Sequence, residues 1–225
     1  MRVLRFWLLF LGAGGFLYAQ EIVTAERYLD SVSELYGTIK DYEARVAIRS
    51  GNTNMYGTVS HLAPSFLRID FTTPAQQVIV FNGETLVVYL PEYRAVLNQQ
   101  VSSSGRRPQA SLATAQGLSL LRRNYVPSFV TGPAPSPLEQ GSAEMVVKLR
   151  LSRRVVSEGF REIILNVDPV TRLIRRIEAT TLAGGLLRFD FSQIQINQGI
   201  PEGRFIYDSP ASANLYNDFL FRDSD

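Results

Sequence analysis

From Ile39 onward, apolar and polar positions alternate along the chain with a period of two. Tyr42, Ala44, Val46 and Ile48 stand against Glu43, Arg45, Ala47 and Arg49, and Leu67, Ile69 and Phe71 against Arg68 and Asp70. That period belongs to β-strands, whose successive side chains point to opposite faces. Turn residues separate the runs at Ser50-Gly51-Asn52-Thr53-Asn54, Ala63-Pro64-Ser65 and Thr73-Pro74-Ala75. The densest stretch is Gln77 to Leu97. Two apolar runs, Val78–Phe81 and Leu86–Leu90, flank Asn82-Gly83, and a third, Tyr93–Leu97, follows a Pro-Glu-Tyr turn. Asn-Gly between such runs predicts a hairpin with a type I′ turn, positive φ at both central residues. Both faces of this hairpin are apolar, so each needs a cover, or one must hold a ligand.

The alternation resumes at Ala143. Met145, Val147, Leu149 and Leu151 mark one strand and Phe160–Val167 the next. Asp168-Pro169-Val170-Thr171 reads as a type I turn into Leu173–Thr181. Gly184-Gly185 leads into Leu186–Ile196, with Leu187, Phe189 and Phe191 on one side, and Phe205–Tyr207 reads as a last short strand. The whole is mainly β, one strongly curved antiparallel sheet of about ten or eleven strands.

Two stretches break the period. Thr24–Tyr36 carries Ala25, Tyr28, Leu29, Val32, Leu35 and Tyr36 at helical spacing, with Thr24 as N-cap and Gly37 as stop. Its greasy stripe must lie on the sheet. Between the two groups of strands, Ser102–Pro108 is a polar linker. Gln109–Asn124 follows as a weak helix, apolar through Leu112, Ala115, Leu118 and Leu121. Its Gly117 costs about 1 kcal/mol relative to Ala. Gly132–Pro137 is irregular. A connection this long is usually functional or disordered, and its apolar stripe points to a lid. The residues themselves leave two readings open. A plain hydrophobic core is favoured by composition, and a ligand cavity by the lid-like insert.

The N-terminus changes the picture. Arg2 and Arg5 precede an apolar stretch, Phe6–Leu17, and Leu17-Tyr18-Ala19 ends at a small residue. The stretch is shorter than the roughly 20 residues that span a bilayer. It predicts a signal peptide over residues 1–19, cut after Ala19, an exported chain, and a single domain over residues 20–225. No Cys follows for lipid attachment. Of 23 lysines and arginines two lie in this segment, so the mature chain is balanced against its 21 acids. That charge offers nothing to nucleic acid. With no cysteine in the chain, stability must come from the core.

Candidate chemistry is sparse. His61, the one histidine, sits on a strand beside a turn and reads as an ordinary partly exposed residue. No His or Cys cluster suits a metal, and no Gly-x-Ser-x-Gly elbow is present. Gly12–Gly15 lies within the signal segment, and Asp41 and Glu43 read as a solvated face. No catalytic residue, metal or cofactor is expected, and the chain does not read as an enzyme.

Four segments in order, AERYLDSVSELYGTIKDYEARV, GTVSHLAPSFLRIDFTTP with VIVFNGETLVVYLPEY, ILNVDPVTRLIRRIE and IPEGRFIYDSP, together resemble the LolA family. These are periplasmic carriers of outer-membrane lipoproteins, related to LolB and RseB. The resemblance implies an unclosed half-barrel with a helical lid over a cavity for lipoprotein acyl chains. Its wall would be Leu67, Ile69, Phe71, Val80, Leu86, Val88, Phe189 and Phe191. Leu112, Leu118 and Leu121 would be the lid face, and Tyr28, Val32 and Leu35 the helix facing the cavity. It further implies a monomer in the periplasm, loaded by an inner-membrane lipoprotein-releasing ABC transporter and unloaded to an outer-membrane acceptor, LolB-like or otherwise. A carrier of another lipid or glycolipid, or an RseB-like sensor, are the alternatives. One position departs from the family: Ala63 precedes Pro64 where LolA proteins commonly carry an arginine implicated in one-way transfer.

Overall fold

The computed structural model describes residues 23–101, 113–155 and 159–219. The expected signal peptide and Leu112 lie outside the described residues. A first helix, α1 (Ala25–Thr38), begins where expected: the Thr24 hydroxyl accepts from the Arg27 amide at 3.2 Å. Six strands follow as an antiparallel meander: β1 (Asp41–Ser50), β2 (Thr53–Leu62), β3 (Phe66–Thr73), β4 (Val78–Phe81), β5 (Thr85–Leu90) and β6 (Ala95–Gln100). A second helix, α2 (Ala115–Asn124), is capped by Thr114, whose hydroxyl accepts from Gly117 N at 3.1 Å. It runs directly into β7 (Tyr125–Phe129). Then come β8 (Ser136–Pro137), β9 (Met145–Arg153), β10 (Phe160–Val167), β11 (Ile174–Thr181), β12 (Leu186–Ile196) and β13 (Asn214–Asn217).

The described strands form one open sheet in the order β13-β6-β5-β4-β3-β2-β1-β12-β11-β10-β9-β7, with β8 alongside β9. Strand β12 joins the two meanders by pairing with β1, which sets Phe191 opposite Val46 and Phe189 opposite Ile48. The end strands β13 and β7 do not pair with each other, so the sheet does not close into a barrel. Both helices pack on one face of it, where the main apolar core lies.

The other face of the central hairpin is covered as well. Val78 and Val80 are buried beneath Phe205, whose ring lies 5.4 Å from that of Phe66. Phe205 belongs to a short 3₁₀ turn, Glu202–Phe205, not to the strand expected there. An arginine clamp holds this segment down. Arg68 Nε donates to both Asp70 carboxylate oxygens at 3.0 and 2.9 Å, and Arg68 Nη1 to the carbonyl oxygens of Arg204 and Ile206 at 3.0 and 3.3 Å. Arg204 Nη2 reaches Asp70 at 2.8 Å. On the same face of the second meander, Glu139 bridges Arg176 and Arg188, and both arginines also meet Asp190.

Three other elements differ from expectation. The Asn82-Gly83 turn is not type I′: only Gly83 has positive φ, at 94°. Asn82 turns the chain with its side chain instead, its Oδ1 accepting from Glu84 N at 3.1 Å and Thr85 N at 2.8 Å. That Asx geometry removes the need for a second left-handed residue. Strand β7 contains Pro127, which an edge strand tolerates because one of its sides needs no ladder partner. Strand β13 adds to β6 in parallel, with Leu215 level with Val96 and Tyr216 with Leu97.

Candidate functional site

The helix-covered face is where the expected site residues converge. Leu67, Ile69 and Phe71 of β3 and Leu86 of β5 are buried in one apolar cluster, and Val88, Phe189 and Leu35 pack against its margin. Phe191 of β12 belongs to the same cluster, as do Tyr28 and Val32 of α1 and Leu118 and Leu121 of α2. The reason is the alternation itself. Arg68 and Asp70 mark the outer side of β3, so its apolar residues turn inward.

Val80 does not join them. In β4, Ile79 and Phe81 face the helices, while Val78 and Val80 lie on the outer face under Phe205. All four β4 residues are apolar, so no polar position marked which side was outside. Other residues of the face were not among those expected: Tyr36, Ile39, Tyr42 and Ala44, with Ile194 and Ile196 of β12. The last two follow from a register shift. Gln193 adopts a left-handed conformation, φ 51°, and the ladder to β1 slips between Glu43 and Arg45. Inward positions then change from Phe189 and Phe191 to Ile194 and Ile196.

Among the described residues the helices pack closely on this face. Between α1, β1 and β12 a cavity of about 10 Å³ remains, lined by apolar side chains and two tyrosines. Small-molecule pockets are usually about 300–1,000 Å³. The helices plug the space themselves. Tyr36 is fully enclosed and its hydroxyl accepts from Ile174 N at 3.0 Å; burial pushes its pKa up to about 12. The Arg172 guanidinium stacks 4.5 Å from the centre of the Tyr28 ring. Helix α2 is attached differently. Leu118 and Leu121 are buried beneath it, and its polar tie to α1 is an Arg122–Asp30 ion pair at 2.6 Å with both partners nearly half exposed. Such a pair contributes about 0–1 kcal/mol, so the apolar stripe holds the helix in place. The helix has 10 residues, short of the roughly 12–15 needed for independent helical stability.

His61 is buried, not partly exposed. It faces the helices at the end of β2, its ring 5.2 Å from that of Tyr42, and Nδ1 is 2.7 Å from the Phe66 carbonyl oxygen. Burial lowers its pKa below the ordinary 6.5. The unfolded chain therefore takes up a proton before the folded one does. Stability should fall as pH drops below about 6.5 and level off once the folded histidine also titrates. Thermal melts from pH 7.5 to 5 should show this fall in the wild type and a flat profile in His61→Gln. Parallel profiles would assign the slope elsewhere. Among the described residues no group of three His, Cys, Asp or Glu side chains is placed to hold a metal.

The family model described as outer membrane lipoprotein carrier protein LolA matches residues 48–132. An outer-membrane lipoprotein carrier protein of Dechloromonas aromatica (strain RCB) is 24% identical over 160 residues, 71% of this chain and 70% of the relative. Over this stretch the chain is similar to LolA. The match covers β2 to β7 with helix α2, and so includes Leu67, Leu86, Leu118 and Leu121 but not Phe189 or Phe191. Solved structures extend the likeness of fold to the rest. An uncharacterized conserved protein from Thermus thermophilus superposes with a TM-score of 0.55 at 15% identity, over 86% of this chain and 98% of that one. Mycobacterium tuberculosis lipoprotein LppX gives 0.51 at 10%, over 79% and 97%. MucB in the Pseudomonas aeruginosa MucA/MucB complex gives 0.51 at 17%, over 85% of this LolA-like chain and 63% of the other.

Proposed function

We propose that this LolA-like protein is a periplasmic carrier that takes up the acyl chains of lipoproteins between its sheet and its helices. It would shuttle them from an inner-membrane ABC transporter to an outer-membrane acceptor. The observation that carries the reading is the buried apolar stripe of α2: a helix too short to stand alone lays Leu118 and Leu121 on the apolar face that cargo would need. Burial gives about 0.8 kcal/mol per methylene, so one chain of about sixteen carbons gains roughly 12 kcal/mol. A permanently open pocket would hold such a chain almost irreversibly. When the lid's own leucines compete for the same surface, net affinity becomes the difference of two burials, and release is possible. Among the described residues no helix is long and apolar enough to cross a membrane.

Ala63 stands in the β2–β3 turn, its amide donating to the Lys40 carbonyl oxygen at 2.7 Å. Without an arginine there, direction of transfer must be set by other groups or by the acceptor. The test is to isolate the exported protein under mild conditions and identify bound molecules by mass spectrometry. Diacylated or triacylated lipoproteins are expected. Free phospholipid or glycolipid would keep the carrier and change its cargo. An empty protein that takes up no apolar fluorophore would overturn the carrier reading in favour of a filled core and a sensing role.

A further inference from the structure

A second feature lies at the outer rim of the lid. A solvent-open groove of about 430 Å³ runs between α1, α2 and the β7–β9 edge. Its walls carry Glu26 and Asp30 from α1, Arg122 and Arg123 from the last turn of α2, and Arg154 just beyond β9. Its floor includes Leu29, a member of the apolar cluster under the helices. The groove therefore has a polar mouth, and Leu29 is where its wall meets the apolar cluster under the helices.

The charges sort themselves. Asp30 is paired with Arg122 at 2.6 Å. Arg123 and Arg154 make no ion pair with a described residue, and Glu26 is the remaining acid of the lining. The mouth thus has one net positive charge, presented by two exposed guanidinium groups. A phosphodiester carries one negative charge, and arginine forks match its oxygens in a bidentate way.

We propose that this groove is a headgroup subsite through which the carrier also takes amphiphiles with a phosphate-bearing, anionic headgroup, beside lipoproteins, whose lipid anchor carries no phosphate. The inference rests on the carrier reading: acyl chains enter between α1 and α2 past Leu29, and the phosphate stays at the rim on Arg123 and Arg154. It adds a chemical class of cargo, since recognition by chain burial alone is blind to the headgroup.

Transfer of labelled lipid between vesicles tests it, with phosphatidylglycerol and phosphatidylcholine of identical acyl chains as probes. The wild type should transfer phosphatidylglycerol about tenfold faster, the scale of one charge-assisted contact. The preference should shrink with added salt. In Arg123→Gln with Arg154→Gln the two lipids should move at similar rates, and Glu26→Gln should widen the wild-type preference. A far-ultraviolet spectrum and melt of each variant establish that it is folded. Equal transfer of both lipids by the wild type, or a preference that survives in the double variant, would overturn the headgroup subsite and leave the carrier standing. Soluble glycerol 3-phosphate should compete for Arg123 and Arg154 and lower the preference; a preference that it leaves unchanged would overturn the subsite. Transfer of neither lipid would likewise overturn the headgroup subsite, while the lipoprotein-carrier reading keeps its own test by mass spectrometry.

Discussion

Leu118→Glu is expected to open the lid. Leu118 has no exposed surface and sits in the cluster under α2. A carboxylate placed there would be buried without a partner, on top of the lost leucine packing. Together these should cost about 3–5 kcal/mol of lid closure. The cheapest relief is for α2 to leave the sheet. Hydrogen exchange should then accelerate across residues 115–124, an apolar fluorophore should bind the bared face, and the melting temperature should fall. Cargo would enter more readily and be held less well. Leu121→Glu should behave alike, since Leu121 is just as deeply buried. Leu120→Glu is the control: Leu120 points outward, 39% exposed, and should change little. Unchanged exchange, melting and lipoprotein binding in both buried variants would rule out α2 as a lid.

Gly57→Ala should damage the sheet from a distance. Gly57 is buried in β2, where the ladder to β3 shifts register between Tyr56 and Gly57. A Cβ at this position would lie 2.4 Å from the Asp70 carbonyl oxygen and 3.0 Å from the Phe71 Cα. Both are backbone atoms, so no side-chain rotation relieves the clash; β3 itself must move. We expect a loss of about 3 kcal/mol, near the upper end for overpacking, and a melting temperature lower by about 6–12 °C. The displacement would carry Phe71 out of the helix-covered face and Asp70 away from Arg68 and Arg204, so both the site and the outer clamp should loosen. Gly37→Ala is the contrast. Nothing lies within 4 Å of its added Cβ, and it falls inside α1, so it should be neutral or stabilising by about 0.5–1 kcal/mol. A Gly57→Ala protein that melts with the wild type would show that the two strands can separate freely there.

Both expectations depend on where side chains point, and residues differ in how far that was legible. Period two assigned the faces of β1 and β3 because charged residues hold one side of each: Arg68 and Asp70 outward put Leu67, Ile69 and Phe71 inward. The helical stripe of α1 was legible for the same reason, and so was that of α2 through Leu118 and Leu121. The place of the Asn82-Gly83 and Asp168-Pro169 turns also followed from local chemistry. Asp168 Oδ1 accepts from Val170 N and Thr171 N at 2.9 and 2.7 Å, as its turn requires.

What remained belongs to partners distant along the chain. Val80 had apolar neighbours on both sides, and only Phe205, brought back from far downstream, decided its face. Ile194 and Ile196 depended on a shift at Gln193 that alternation cannot foresee. His61 is buried because it turns inward beside the Tyr42 ring, with Nδ1 on the Phe66 carbonyl oxygen. Strands β7 and β13 are short, carry little pattern of their own, and exist because β9 and β6 offer open edges. The arginines of the groove come from two elements separated by β7 and β9, and nothing local to either links them. By itself, then, the sequence determined the mainly β class, the two helices and the inward faces of strands marked by charge, because those follow from local periodicity. Only the tertiary structure decided which residues share the helix-covered face, how α2 is seated on it and where the groove opens, because those depend on packing between segments that no local pattern connects.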